Sequence, residues 1–314
     1  MKLAPIVLFV YNRPDHTRRT VEALLKNEFA GESELIVFSD GPKNDKAKDS
    51  VGVVREYIKS VKGFKKITIA ERAENFGLAK SIIAGVTDVV EKYGRVIVME
   101  DDMVSSPYFL RYMNEGLEFY ENCDRVVSIH GYIYPVEGKL DETFFLKGAD
   151  CWGWATWKRG WSVFESDGKK LLKELRERNL TAEFDFDGSY GFTQMLEHQI
   201  EGVNDSWAIR WHASAFLKDK LTLYPGRSLI DNIGNDASGT HCQVTGAYNI
   251  TKVSQNPVKI EKIEMKPDAK AFEAIKNYYL SKHSRPSPPP AGIYKKIEAI
   301  AKKICALIRK VFLR

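Results

Sequence analysis

Runs of apolar residues alternate with amphipathic stretches from the start of the chain. The apolar runs predict strands, and the stretches between them, with apolar positions every three to four residues, predict helices. The predicted strands cover residues 5–11, 34–40, 65–71, 95–101 and 125–131. The predicted helices cover residues 14–26, 47–62, 77–93 and about 107–120. Strands that are apolar throughout are buried on both faces, which indicates an α/β fold with a mostly parallel central sheet and helices on both faces.

Polar side chains gather where four of these strands end. The clusters are Asn12–Arg13, Ser39–Asp40–Gly41, Glu74–Asn75 and Glu100–Asp102. In parallel sheets of this kind, ligands bind beyond the carboxyl ends of the strands. We therefore expect a ligand site at this edge of the sheet.

Three consecutive acids, Glu100, Asp101 and Asp102, end the fourth strand. Like charges this close repel, so an opposite charge must offset them. Mg²⁺ and Mn²⁺ prefer oxygen ligands and commonly join one or two carboxylates to substrate phosphates. The alternative is an acidic segment before a helix that Ser105 or Ser106 caps. The position at the end of a strand in a βα series favours the metal.

The alternation fades after about residue 140. Residues 144–161 hold four of the six tryptophans, and helical patterns follow at 168–179, 190–201 and 206–218. We interpret this part as an elaboration of the same domain, which would extend over residues 1–283.

The end of the chain has a different composition. Residues 284–290 (SRPSPPP) predict an extended linker. Residues 291–314 predict an amphipathic helix with seven Lys/Arg and one Glu. Such a helix suits an anionic membrane surface. The alternatives are a helix packed on its own protein and a coiled coil with a partner.

The net charge of +5 therefore describes the tail rather than the core. Without residues 291–314 the chain has a net charge of about −1, so a nucleic-acid-binding core is unsupported. The four cysteines show no paired metal spacing, and no export signal is visible. We expect reduced thiols and a cytoplasmic protein, peripheral on the inner face of the cell membrane.

The order of the motifs resembles that of GT-A fold glycosyltransferases. YNRP follows the first strand, SDGP the second, ENFGLAKSI leads into a helix, and VIVMEDD ends the fourth strand. The sequence is most similar to the family 2-like bacterial group related to N-acetylglucosaminyltransferase I, in which EDD replaces DxD. CWGWATW and NIGNDASGTHC also resemble segments of that group. The resemblance covers about residues 3–245 and specifies the fold and reaction class rather than the sugar.

The resemblance implies roles for the residues at the strand ends. Asp102 would ligate Mn²⁺ or Mg²⁺ at the diphosphate, and His241 would add a metal ligand, although a solvated loop histidine is the alternative. The remaining positions would bind a UDP-sugar donor: Asp40 at the uracil, Asn12 and Arg13 at the nucleotide edge, Asn75, Gly77 and Lys80 at the ribose and phosphates, and Glu100 and Asp101 at ribose and sugar hydroxyls. For Asp40 and for ENFG, ordinary turns are the alternative.

The resemblance also implies an acceptor half, residues 131–250, beside a nucleotide-sugar half, residues 1–130. Asp205 falls where the family carries its catalytic base. Asp150 and the acids of residues 183–187 are rivals, and an N-cap is the alternative role for Asp205. Trp152, Trp154 and Trp157 form a group that either stacks on an acceptor sugar or packs in the core, and we assign Trp152 and Trp154 to the acceptor.

These positions together predict a metal-dependent, inverting glycosyltransferase. It would move a hexosyl or N-acetylhexosaminyl group from a UDP-sugar to a lipid-linked or cell-surface glycan. The alternatives are a nucleotidyltransferase of related fold, which the absence of glycine in YNRPDHTRR disfavours, and a non-catalytic nucleotide-binding membrane adaptor.

Overall fold

The computed structural model describes residues 1–236, 238, 248, 250 and 252–282. Within them, eight strands form one sheet and two short strands pair separately. In chain order the strands are β1 (Ile6–Val10), β2 (Glu34–Ser39), β3 (Lys66–Glu71), β4 (Arg95–Glu100), β5 (Met103–Ser105), β6 (Val126–His130), β7 (Thr143–Lys147), β8 (Trp154–Trp157), β9 (Leu221–Pro225) and β10 (Ile230–Asn232). All five predicted strands are confirmed, each within one residue of its predicted bounds.

Ten α-helices lie among the described residues. They are α1 (Pro14–Leu25), α2 (Lys48–Ser60), α3 (Leu78–Tyr93), α4 (Phe109–Phe119), α5 (Lys158–Trp161), α6 (Gly168–Glu177), α7 (Thr181–Phe184), α8 (Phe192–Ile200), α9 (Trp207–Leu217) and α10 (Ala269–Lys282). The predicted helices are confirmed within two residues. The sequence analysis did not predict α10, which lies after the last of the sequence motifs.

The sheet has the strand order β3-β2-β1-β4-β8-β6-β9-β7. Four of the seven neighbouring pairs are parallel, among them all three pairs from β3 to β4. Strand β8 runs antiparallel between β4 and β6. The predicted, mostly parallel sheet is confirmed, but the strand between β4 and β6 comes from the tryptophan-rich segment.

Both faces of the sheet are covered by helices. Ile6, Leu8 and Val10 of β1 face a core that helices α1, α2 and α4 complete. Val7 and Phe9 face the opposite core, to which α3 and α9 contribute. This alternation explains why β1 is apolar at every position: each side chain enters one core or the other.

Three predicted features lie outside the described residues: the linker at 284–290, the basic helix at 291–314 and His241. None of the helices in the described part is long and apolar enough to cross a membrane. Of the four cysteines, Cys123 and Cys151 are described, and both are free thiols.

Candidate active site

The acids at the end of β4 are bound by an arginine that follows β1. Because β1 and β4 are parallel neighbours, Arg13 and Asp101 leave the sheet at the same edge. The Arg13 guanidinium donates through Nη2 to Asp102 Oδ2 at 2.7 Å and also to Asp101 Oδ1. Its Nε lies 3.4 Å from Asp101 Oδ2. Within the described residues, the charge of these acids is therefore offset by a guanidinium.

Burial makes this cluster electrostatically unusual. Burial raises the pKa of Glu100 to about 8, to which Asp102 and Asp101 add, while Arg13 opposes the shift. Burial also raises the pKa of Asp101, although Arg13 counteracts it. For Arg13, burial lowers the pKa, but the two aspartates outweigh it and the net pKa is raised. Arg13 thus stays charged, while the pKa values of Glu100 and Asp101 are both raised.

A segment from late in the chain closes over Asp102. The backbone N–H of Ile233 donates to the carbonyl oxygen of Asp102 at 2.9 Å. A Cβ atom at Gly234 would lie 2.1 Å from Asp102 Oδ2, so only glycine fits this close approach. His16 holds the segment against α1, with its Nε2 3.3 Å from the Ile233 oxygen. Sequence reasoning missed this role of Gly234, although it lies inside the NIGNDASGTHC motif.

The donor set fits a divalent cation only in part. Asp102 Oδ1 is buried without a hydrogen-bond partner, which leaves one hard oxygen available as a ligand. In the described part of the chain, no three His, Cys, Asp or Glu side chains converge to hold a metal ion. A cation here would therefore be held by one or two carboxylates together with ligand oxygens, which is a usual arrangement for Mg²⁺.

Asp40 organises the loop that leads into α3. Its two carboxylate oxygens accept hydrogen bonds from the backbone N–H groups of Gly41, Phe76 and Gly77 and from Asn75 Nδ2, at 2.9–3.1 Å. Asn75 Nδ2 also donates to the Gly41 oxygen at 2.8 Å. All four acceptor positions of the carboxylate are thus used within the protein. A contact with uracil, as predicted for Asp40, would replace one of these bonds.

Lys80 and Asp205 line one open cleft between α3 and the start of α9, with a volume of about 450 Å³. The side chain of Asp205 is 66% exposed and lies 3.6 Å from Arg210. Ser206, not Asp205, caps α9, since its hydroxyl accepts from the Ile209 N–H at 3.2 Å. The N-cap alternative for Asp205 is therefore wrong. The complete lining of the cleft is Ala79, Lys80, Ile83, Ala84, Thr87, Asp88, Asp205 and Arg210, and the carboxylates that end β4 are not part of it.

Trp154 does not stack on an acceptor. It is 0% exposed and packs against Trp161, Trp207 and Trp211, with ring centroids 5.5–5.8 Å away. The prediction that Trp154 binds the acceptor is wrong. Trp154 is the first residue of β8, and its ring packs in the core to which α3 and α9 contribute. Trp157 is buried as well. These two residues illustrate the core-packing alternative.

Trp152 is half-buried instead. It lies before β8, in edge-to-face contact with Tyr132 at 4.8 Å and with Tyr248 at 5.6 Å between ring centroids. Asn12, the remaining predicted donor residue, is half-buried directly after β1. The side chains of Trp152 and Asn12 are therefore both partly accessible to solvent.

The rival acids of residues 183–187 have structural partners. Glu183 binds Lys147 at 2.8 Å, and Asp187 binds Lys276 at 2.9 Å. Asp185 accepts from the Thr193 N–H at 2.6 Å at the start of α8. These acids therefore join α7 and the loop after it to β7, α8 and α10.

The N-terminal half of the chain matches a known protein family. The family described as Glycosyl transferase family 2 matches residues 6–154. These residues form a family 2 glycosyltransferase domain. The domain starts with β1, contains Arg13 and the acids Glu100, Asp101 and Asp102, and ends where β8 begins. No curated protein matches the chain.

Solved structures show weaker likeness to this chain. The mannosyltransferase PcManGT from Pyrobaculum calidifontis, in complex with GDP-Man and Mn²⁺, is 12% identical over 43% of this chain and 37% of its own, with a TM-score of 0.31. S. aureus TarS 1–349 is 10% identical over 72% of this chain and 59% of its own, with a TM-score of 0.38. Its complex with UDP gives 11%, 73% and 60%, again with a TM-score of 0.38. This chain spans less than two thirds of each, and likeness at this level supports no argument about function.

Proposed function

We propose that this protein is a metal-dependent glycosyltransferase that moves a sugar from a UDP-sugar to a glycan or glycolipid hydroxyl. The observation that carries the proposal is the buried, unpartnered Oδ1 of Asp102 at the end of β4, inside a family 2 domain. A buried carboxylate oxygen without a partner costs free energy, which a bound cation would recover. The EDD motif favours the group related to N-acetylglucosaminyltransferase I within this class.

Mn²⁺ or Mg²⁺ would be held by Asp102, with Asp101 beside it, and His241 is proposed as an additional ligand. When bound, the metal stabilises the negative charge that develops on the leaving diphosphate. Arg13 adds a permanent positive charge at the same edge of the sheet. Binding of metal and donor would redistribute the carboxylate contacts that Arg13 makes in the ligand-free protein.

Asp205 is proposed as the base that takes the proton of the acceptor hydroxyl. Inversion at the sugar carbon is proposed on the family resemblance alone. The exposure of Asp205 in the cleft makes the carboxylate accessible to an acceptor, and Arg210 at 3.6 Å keeps it from being an isolated charge. Lys80 is proposed as a donor-phosphate ligand. It lies in the first turn of α3, lines the same cleft and packs its Nζ 4.3 Å from the centroid of Phe76.

The test is a screen of nucleotide-sugars in which release of nucleoside diphosphate is measured with Mn²⁺ and with a chelator. We expect release from at least one UDP-sugar, dependent on the metal, because the leaving diphosphate requires charge stabilisation. GDP-sugars and nucleoside triphosphates are the comparison substrates. Release of pyrophosphate from a triphosphate would instead identify a nucleotidyltransferase, and no release from any donor would favour a non-catalytic nucleotide-binding adaptor.

We further propose that residues 291–314 hold the protein at the anionic inner face of the cell membrane, near a lipid-linked acceptor. Deletion of residues 286–314 removes seven basic side chains. We expect the truncated protein to lose most of its sedimentation with anionic liposomes, since each basic residue near such a surface contributes about 1 kcal/mol. Calorimetry with UDP should show unchanged donor affinity. Equal sedimentation of both proteins would contradict the assignment, and neutral liposomes provide the control.

A further inference from the structure

A second carboxylate, Asp150, lies in the segment that precedes β8, the strand that pairs with both β4 and β6. In the antiparallel register of β4 and β8, Val98 pairs with Trp154, so the residues preceding β8 lie beside the end of β4. The Gly131 N–H donates to the Gly153 oxygen at 2.7 Å and fixes this segment to the end of β6. Asp150 therefore reaches the ligand-binding edge of the sheet from a strand that local periodicity did not reveal.

The Asp150 carboxylate is held from its inner side and open on its outer side. Oδ1 accepts from the Cys151 N–H at 2.8 Å, and Oδ2 lies 3.4 Å from the Tyr224 hydroxyl. His130 Nε2 lies 3.5 Å from the same Oδ2. The side chain of Asp150 is 23% exposed, whereas His130 and Tyr224 are buried. The carboxylate is fixed in position yet accessible to a ligand.

His130 is a buried polar group without a structural use elsewhere. Neither ring nitrogen has a hydrogen-bond partner within the described residues, although the ring is fully buried. A buried polar group without partners is costly and rare in cores. Burial lowers the pKa of His130, and Asp150 only partly opposes this shift, so the ring is neutral at pH 7. Among the described residues, the one charged group within 4.0 Å of its ring is Asp150, whose Oδ2 lies beside Nε2 without a hydrogen bond to it.

Four half-buried aromatic rings belong to one group of ring contacts that includes Trp152, two residues after Asp150. They are Tyr134, Trp152, Tyr190 and Tyr248. The ring centroids of Trp152 and Tyr248 are 5.6 Å apart, and those of Tyr134 and Tyr248 are 6.3 Å apart. Behind them, Tyr279 of α10 contacts Tyr134 and Tyr190 at 5.1 and 4.6 Å. Together, these four half-buried rings form an aromatic wall that is partly open to solvent.

The charges and hydroxyls of this region favour a neutral ligand. An anionic ligand beside Asp150 would need a nearby cation to offset the repulsion between the two negative charges. In the described part of the chain, no lysine or arginine lies within 4.0 Å of Asp150. Burial raises the pKa of Tyr134 and of Tyr190, and Asp150 contributes, so their hydroxyls stay protonated at neutral pH. A carboxylate accepts hydrogen bonds from hydroxyl groups, and aromatic faces cover the apolar faces of sugar rings.

We propose that Asp150 and the aromatic wall bind the acceptor, and that this acceptor presents a neutral sugar rather than a phosphate or an acidic sugar. Asp150 accepts hydrogen bonds from sugar hydroxyls, and Trp152 packs against the ring. This inference rests on the proposed glycosyltransferase function and adds the chemical class of its acceptor. Trp152 thereby keeps the acceptor role that Trp154 cannot have.

Binding of methyl glycosides, followed by saturation-transfer NMR on the full chain, tests the proposal without requiring turnover. The probes are neutral methyl hexosides and N-acetylhexosaminides, with methyl glucuronide and a sugar phosphate as anionic counterparts. We expect at least one neutral glycoside to bind. Asp150→Asn should weaken that binding by about tenfold or more, because it removes charge-assisted hydrogen bonds. Trp152→Ala should weaken it by about tenfold, because it removes the ring that packs on the sugar.

Asp45→Asn is the matched control, because Asp45 lies on the surface, where its one ion pair among the described residues is with Lys48 in the same turn. UDP calorimetry on every variant separates the two proposals. Retained UDP affinity in Asp150→Asn shows that the fold and the donor site are intact. The acceptor proposal is overturned if no neutral glycoside binds, if both variants bind as the native protein does, or if the anionic probes bind more tightly. Glycoside binding without any UDP binding would keep the sugar site and refute the transferase.

Discussion

Asp102→Ala is expected to weaken UDP binding in the presence of Mn²⁺ by about 100-fold or more. Asp102 contributes the one described carboxylate oxygen of this cluster that is buried and without a partner. Even the residues that merely orient metal ligands cost about 10–100-fold in metal affinity when they are removed, so loss of a ligand should cost at least as much. Isothermal calorimetry with UDP and Mn²⁺ measures the effect.

A chelator provides the second arm of this experiment. Addition of chelator to the native protein should reproduce the loss, and it should add little further loss in Asp102→Ala. Asp45→Ala, which removes an exposed carboxylate, controls for general charge effects. If UDP binds equally well with chelator and with Asp102→Ala, the acids of β4 serve only as counter-ions for Arg13, and the metal-dependent mechanism is refuted.

Arg13→Ala should destabilise the ligand-free protein by about 3–5 kcal/mol, the range found when one partner of a buried ion pair is removed. The Arg13 side chain is only 15% exposed and binds two aspartates that are more buried still. Without it, Asp101 and Asp102 would repel each other across a poorly solvated site. The free energy of unfolding, measured by urea denaturation in the presence of chelator, reports the loss.

Mn²⁺ should recover part of that stability, because a cation that binds the folded state shifts the unfolding equilibrium. The gain from Mn²⁺ should be larger in Arg13→Ala than in the native protein, since no guanidinium competes for the carboxylates. Arg111→Ala is the matched control: Arg111 binds Glu115 at 2.8 Å on the exposed surface of α4, where such pairs contribute about 1 kcal/mol at most. If Arg13→Ala lowers the free energy of unfolding no more than Arg111→Ala does, Arg13 is not needed to offset the charges of Asp101 and Asp102.

Arg13 makes contacts that its position in the YNRP motif did not predict. YNRP was assigned to the nucleotide edge on resemblance, yet the side chain turns to the acids of the neighbouring strand. Both assignments follow from the same parallel pairing of β1 and β4. The charges at a shared sheet edge decide which contact forms in the ligand-free protein, and a sequence pattern contains no distances.

Two neighbouring tryptophans differ in burial for a reason that the sequence pattern does not contain. Trp152 and Trp154 are two residues apart and belong to the same CWGWATW motif. Trp154 begins a strand whose inner face packs against α9, a helix more than fifty residues away along the chain. No local feature distinguishes the two rings, because burial depends on the element that covers them.

The sequence by itself determined the first half of the sheet and the edge at which its chemistry gathers. Three largely buried strands and the half-exposed edge strand β3, with amphipathic helices between them, favour an arrangement in which the polar loops meet at the carboxyl ends of the strands. Tertiary structure alone decided the insertion of β8 beside β4, the contact of Gly234 with Asp102 and the meeting of His130 with Asp150. Each joins residues distant along the chain, and it is strand pairing and close packing that set which of them come together.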